Sequence, residues 1–147
     1  MAHSRILCVD NDPAAVKWIR DHLRPSRLND DLTPVTGGRA ALKLLYRNEF
    51  DLCILDYDLP DMTGAQLCHL IRQIGYTLPI MVFTAPNSRF DREKAAAAGA
   101  NEFICKQDDL AVFSSAVKRL LSIRQFLDAN NETFASLAQS PQFGAIA

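Results

Sequence analysis

No apolar run in these 147 residues approaches the ~20 that a membrane-spanning helix requires, so membrane residence is not indicated. The start, MAHSRILCVD, lacks the charged, apolar and small-residue zones of a signal peptide. The chain is therefore expected to act in the cytosol. A basic excess is missing as well, because the formal net charge is -1 and the 16 Lys and Arg are scattered. Nothing in that balance marks a nucleic-acid footprint. The four cysteines, Cys8, Cys53, Cys68 and Cys105, show neither CxxC nor metal-ligand spacing, and three lie within apolar strand-like runs. Free cysteine in such a setting behaves as a small hydrophobe. Cys68 beside His69 is no ligand pair, since adjacent helical residues point about 100° apart.

What is present fits one soluble globular domain, with 48% hydrophobic and 22% charged residues and a length that leaves a surplus at the C-terminus. The most informative stretch is Phe50 to Gly64, FDLCILDYDLPDMTG. Leu52, Cys53, Ile54 and Leu55 form a near-continuous apolar run, the pattern of a strand covered by helices on both faces. Asp56 follows at once. A charge at the end of such a strand lies at the carboxyl edge of a sheet, where open α/β proteins bind their ligands.

The same pattern recurs along the chain. Ile6 to Val9 ends in Asp10, Asn11, Asp12 and Pro13, where Asp12 is placed to cap a helix beginning at Pro13 and running to about Leu23. Asp30 to Gly37 predicts a weak strand, and Pro34 puts it at a sheet edge. Arg39 to Asn48 predicts a helix whose apolar stripe is drawn from Ala41, Leu42, Leu44, Leu45 and Tyr46. A helix from Gly64 to Ile74 should stop at Gly75, and Pro79 to Phe83 should be a strand tipped by Thr84. Ser88 with Asp91 resembles a capping box for an alanine-rich helix ending near Gly99, weakly anchored for want of apolar bulk. Glu102 to Cys105 gives a fifth strand before Lys106, and Asp109 to about Asp128 a last helix. Asp61 and Thr63 read as loop or capping residues. Alternating strands and helices predict a doubly wound, five-stranded parallel sheet in a single α/β domain, with Asp10, Asn11, Asp56, Thr84 and Lys106 on one edge.

These motifs together resemble the receiver domain of bacterial response regulators over about residues 4–125. The resemblance rests on Asp10-Asn11-Asp12-Pro13, on Asp56 with Pro60 and Gly64, on Thr84-Ala85, on Gly99-Ala100, and on Lys106 after Phe103-Ile104-Cys105. It implies a flavodoxin-like strand order 2-1-3-4-5 and two-component phosphorelay signalling. Asp56 would accept a phosphoryl group from a histidine kinase or histidine phosphotransfer protein, switching the binding of a downstream effector. Mg²⁺ would sit on Asp10, Asn11, Asp56 and the backbone carbonyl of Asp58. Thr84, Ala85 and Lys106 would hold the phosphoryl group, Lys106 would pair with Asp56 at rest, and Thr84 and Phe103 would form the switch. Such a protein is a self-modifying phosphoacceptor rather than an enzyme acting on other molecules.

Two positions depart from the family pattern. Asn11 stands where a second acid is usual, so Mg²⁺ should bind more weakly. Gln107 stands where a proline usually follows the lysine; a cis bond to a non-proline costs ~2.5 to 4 kcal/mol, so a trans peptide is expected. Two other readings follow from the sequence. One is a degenerate receiver that binds partners without phosphorylation; the other, disfavoured by the place of its paired aspartates, is a haloacid-dehalogenase-like phosphatase built on Asp56 and Asp58. Residues 126–147 exceed a receiver and read as a helical extension or linker, with Phe134 and Leu137 hinting at more helix, either an arm for homodimer pairing or the start of a linker.

Overall fold

The computed structural model describes residues 4–27, 31–85, 89–108 and 110–138. Five strands, β1 (Ile6–Val9), β2 (Leu32–Val35), β3 (Leu52–Leu55), β4 (Ile80–Thr84) and β5 (Glu102–Cys105), form one parallel sheet in the order β2-β1-β3-β4-β5. Helices α1 (Pro13–Leu23), α2 (Gly38–Arg47), α3 (Gly64–Ile74), α4 (Arg89–Ala97) and α5 (Leu110–Ala138) connect and extend them. Alternation along the strands divides the core in two. Ile6, Cys8, Leu52, Ile54, Met81, Phe83 and Ile104 pack with α1 and α5, whereas Leu7, Val9, Cys53, Leu55, Ile80 and Val82 pack with α2, α3 and α4. Central strands covered on both faces must be apolar at every position, which is why they read as runs.

Local chemistry fixes the element ends. Asp12 accepts a hydrogen bond from the Ala14 N–H and Pro13 opens α1, as expected. Thr63 and Gln66 form a full capping box at the start of α3, and Gly75 ends that helix at φ +100°. Asp61 caps a helix other than its own: its carboxylate accepts from the N–H groups of Gly38 and Arg39 at 2.9 and 3.0 Å, opening α2. Pro34 lies in β2 at the sheet edge.

Some details differ from the predicted ones. Thr84 is the last residue of β4 and fully buried, because its hydroxyl has a polar partner inside the fold. Tyr46 points to solvent while Ala41 and Leu45 carry the inward stripe of α2. Helix α5 runs to Ala138, ten residues beyond Asp128. Ser88 of the predicted capping box and Asp109 lie outside the described residues. Within α4 only Ala95 is buried, as its composition foretold.

Candidate functional site

The carboxyl ends of β1, β3, β4 and β5 meet at one edge. The parallel register carries Asp10, Asp56 and Lys106 there, since the Asp56 N–H donates to the Val9 carbonyl at 2.9 Å and the Lys106 N–H to the Thr84 carbonyl at 2.7 Å. Asp10, Asp56 and Thr84 are the buried polar side chains of the described residues. Such groups cost free energy unless they are bonded, and each one is. The Thr84 hydroxyl donates to Asp56 Oδ1 at 2.5 Å, and the Tyr57 N–H donates to the same oxygen at 2.8 Å. Asp10 Oδ1 accepts from the Asp12 N–H at 2.9 Å.

Lys106 spans the two carboxylates, with Nζ 2.9 Å from Asp10 Oδ2 and 3.6 Å from Asp56 Oδ2. The closer partner is Asp10. Burial pushes the Asp10 carboxyl above its usual range, and the Asp12 N–H and Lys106 only partly counter it. Burial alone would lower the ammonium of Lys106, but the bond to Asp10 and the charges of Asp10 and Asp56 outweigh it and leave the group raised. The Lys106–Gln107 peptide is trans, since no cis bond occurs among the described residues.

Other predicted residues lie around this cluster rather than in it. Asn11, Asp58 and Ala85 are exposed on the loops that rim the site. The Asp58 backbone is fixed by an isolated bridge to Thr63. Phe103 is half-buried against the core, with the Arg92 guanidinium 5.0 Å from its ring centroid.

A hard divalent cation takes oxygen donors, commonly one or two carboxylates completed by waters. The Asp10 and Asp56 carboxylates, the Asn11 amide oxygen and the Asp58 carbonyl are donors of that class, so the residues fit Mg²⁺ with two anionic ligands. Among the described residues no group of three or more Asp, Glu, His or Cys is assembled, in keeping with the neutral residue at Asn11. The cysteines take no part; Cys8, Cys53 and Cys68 are free and buried.

Two residues absent from the sequence reading brace the elements around the site, Tyr57 at this edge and Arg72 at the opposite, amino-terminal edge of the sheet. The Tyr57 hydroxyl is raised by burial and by the nearby charge of Asp91 on α4. Tyr57 thus joins the Asp56 loop to α4. Tyr57→Phe, which removes the hydroxyl that interacts with Asp91, should cost roughly 1 kcal/mol, and hydrogen exchange should speed up most within α4. Arg72 is the second. It donates to the carbonyls of Tyr76, Leu78 and Gly99 at 2.9, 2.7 and 2.8 Å, stapling α3 to the loops flanking β4 and β5.

Comparison with known proteins agrees with this geometry. The heme response regulator HssR of Staphylococcus aureus is 29% identical over 126 residues, covering 86% of this chain and 54% of that protein. The chain thus spans about half the length of the curated relatives it matches. The receiver domain of a signal transduction histidine kinase from Syntrophus aciditrophicus is 30% identical, with TM-score 0.73 over 81% of this chain and 90% of that one. A CheY-like receiver from Methanospirillum hungatei shares the fold at TM-score 0.76 and 22% identity, over 84% and 98% of the two chains. No helix among the described residues is long and apolar enough to cross a membrane. With the strand order, the acid-lined edge and a family model matching residues 6–118, the chain belongs to the response regulator receiver domain family of two-component signalling.

Proposed function

We propose that Asp56 is a phosphoacceptor, taking a phosphoryl group from a histidine kinase or histidine phosphotransfer protein and thereby changing how the chain binds a downstream effector in the cytoplasm. The observation that carries this reading is the convergence on Asp56: Thr84 and the Tyr57 N–H hold Oδ1, while Oδ2 faces Lys106. One carboxylate oxygen is thus oriented by two donors. The other faces the loop edge as a nucleophile, beside a cation able to stabilise charge on the incoming group.

Mg²⁺, held by Asp10, Asp56, Asn11 and the Asp58 carbonyl, supplies positive charge that offsets the phosphoryl oxygens. The chain's own residues do the rest. Lys106 neutralises the acidic edge at rest and is placed to pair with the phosphoryl group. Thr84 exchanges its bond to Asp56 for one to a phosphoryl oxygen, with the Ala85 backbone alongside. That exchange draws Thr84 away from its resting partner, and Phe103 on the neighbouring strand relays the change toward α4.

The test is intact mass after incubation with acetyl phosphate, with and without Mg²⁺, beside Asp56→Asn. A single phosphoryl adduct that needs both Mg²⁺ and Asp56 is expected. No adduct at any Mg²⁺ concentration would instead favour a receiver that binds partners without phosphorylation, the reading that Asn11 motivates. Asn11→Asp should tighten Mg²⁺ by roughly tenfold, equivalent to ~1.4 kcal/mol, by adding a charged oxygen donor. Calorimetric titration of both proteins checks this, and equal affinities would show that Asn11 does not face the cation.

A further inference from the structure

We propose that the groove between α3 and α4 is a binding site for a small amphipathic monocarboxylate, a molecule with an apolar tail and one carboxylate. The groove has a volume of about 710 Å³, within the ~300 to 1,000 Å³ usual for small-ligand sites. It exists because its walls are built from short side chains. Ala97 and Ala98 at the end of α4 line it with Ala65 and Leu70 of α3, and Tyr57 and Met62 of the Asp56 loop complete the apolar lining. Alanine leaves open the space that a larger residue would fill.

The polar groups among these walls donate hydrogen bonds. Thr63 Oγ1 accepts from the Gln66 N–H at 3.1 Å, and Gln66 Oε1 accepts from the Thr63 N–H at 2.9 Å. That capping box spends both oxygens on the backbone and leaves the Thr63 hydroxyl proton and the Gln66 amide protons for a ligand. His69, exposed on α3, makes no hydrogen bond or ion pair among the described residues.

Lys94 supplies the charge. The acid beside it on α4, Glu93, is tied to Arg89 at 3.1 Å, and Lys94 Nζ stands 4.4 Å from the Phe90 ring centroid with no carboxylate partner among the described residues. No Asp or Glu lines the groove, and Asp91 acts on the Tyr57 hydroxyl. One cation, several neutral donors and no acid select a ligand that accepts hydrogen bonds and carries a single negative charge. A dianion would leave one charge unmatched. A molecule in this groove touches both helices, and α4 has only Ala95 buried. The ligand therefore anchors α4 where its own side chains do not, and local opening of that helix becomes rarer as the site fills.

The test titrates sodium octanoate, below its micelle concentration, into the unphosphorylated chain and follows the backbone amides by NMR, beside 1-octanol as the uncharged probe. Octanoate is expected to bind saturably with shifts concentrated in α3 and α4, and more tightly than octanol by about tenfold, the worth of one charge-assisted hydrogen bond. Lys94→Gln should remove that advantage and leave octanol unchanged, whereas Ala97→Phe, which fills the groove, should weaken both. Both positions are exposed, so the variants should keep the wild-type thermal midpoint. Amide exchange in α4 should slow several-fold at saturating octanoate; unchanged exchange would overturn the bridging of the two helices. No saturable shift, shifts centred on another surface, or full binding by Ala97→Phe would overturn the site. Equal affinity for octanoate and octanol, or an unchanged octanoate affinity in Lys94→Gln, would overturn the carboxylate. None of these readouts requires phosphorylation of Asp56, so the phosphoacceptor role stands or falls separately on the acetyl phosphate adduct.

Discussion

Lys106→Met is expected to lower the stability of the fold by roughly 2 to 3 kcal/mol at neutral pH, below the 3 to 5 typical of breaking a fully buried ion pair. The discount follows from exposure, because the Lys106 side chain keeps 23% of its surface while those of Asp10 and Asp56 keep 2% and 11%. Without the ammonium, two carboxylates face each other across the edge with no cation between them. Methionine retains most of the apolar stem, so the loss is electrostatic. Its pH dependence has a definite sign. Asp10 is raised in the folded state, so the stability gained by protonating it is fully present below the ordinary carboxylate range and is lost as pH rises through the raised value. Removing Lys106 raises Asp10 further and extends that loss toward neutrality. The wild-type lysine, itself raised, contributes at every pH below its ordinary value and ceases only when the solution becomes strongly alkaline. Urea midpoints at neutral and acid pH should therefore diverge and then converge, with an unchanged denaturant slope. Mg²⁺ should recover part of the loss and bind the variant more tightly, because Lys106 no longer occupies Asp10. A deficit of equal size at both pH values would assign it to packing instead.

Gly64→Ala should be as damaging, by about 3 kcal/mol, through contact alone. A Cβ there would stand 2.8 Å from the Asp56 carbonyl oxygen and 2.9 Å from both Leu55 Cδ1 and Tyr57 Cα. Two of those three atoms are backbone, and the Gly64 N–H already bonds the Tyr57 carbonyl at 2.6 Å. Neither side can yield without moving the loop that aims Asp56. Misplacing a reacting group by about 1 Å can cost on the order of a hundredfold in rate, so adduct formation should slow more than stability predicts. Gly75 makes the contrast. Its φ of +100° strains any side chain, yet a Cβ would meet nothing within 4 Å, so Gly75→Ala should cost only about 1 kcal/mol and leave the adduct rate unchanged. Similar rates for the two alanine variants would show that Gly64 does not position the Asp56 loop.

The fold was legible in the sequence because doubly covered strands cannot afford polar residues. ILCV, LCIL and IMVF each announce themselves, and parallel pairing then brings their ends to one edge. Asp12 before Pro13, and Gly75 after Ile74, marked helix ends through local backbone chemistry. Contacts between distant side chains left no such trace. The α2 start carries glycines where a capping residue would stand, and its cap, Asp61, comes from a loop 23 residues later. Arg72 reads as a solvated helix charge, but its four nearest acceptors belong to loops that only the folded chain brings together. The preference of Lys106 for Asp10 over Asp56 is likewise a matter of side-chain conformation. In α5, asparagine and threonine lower intrinsic helix propensity, so Phe134 and Leu137 hinted at further helix without marking where it ends.

That length has a mechanical consequence. The seventeen residues from Ser122 to Ala138 prolong a helix that is seated on the face of the sheet and against α1. A tilt of about 10° at that seat would sweep the tip of a ~25 Å arm through roughly 4 Å, about three quarters of a helical turn. Small repacking beneath Phe113 and Leu120 is thereby magnified with distance, and the far end of α5 would register a displacement that the domain surface barely shows.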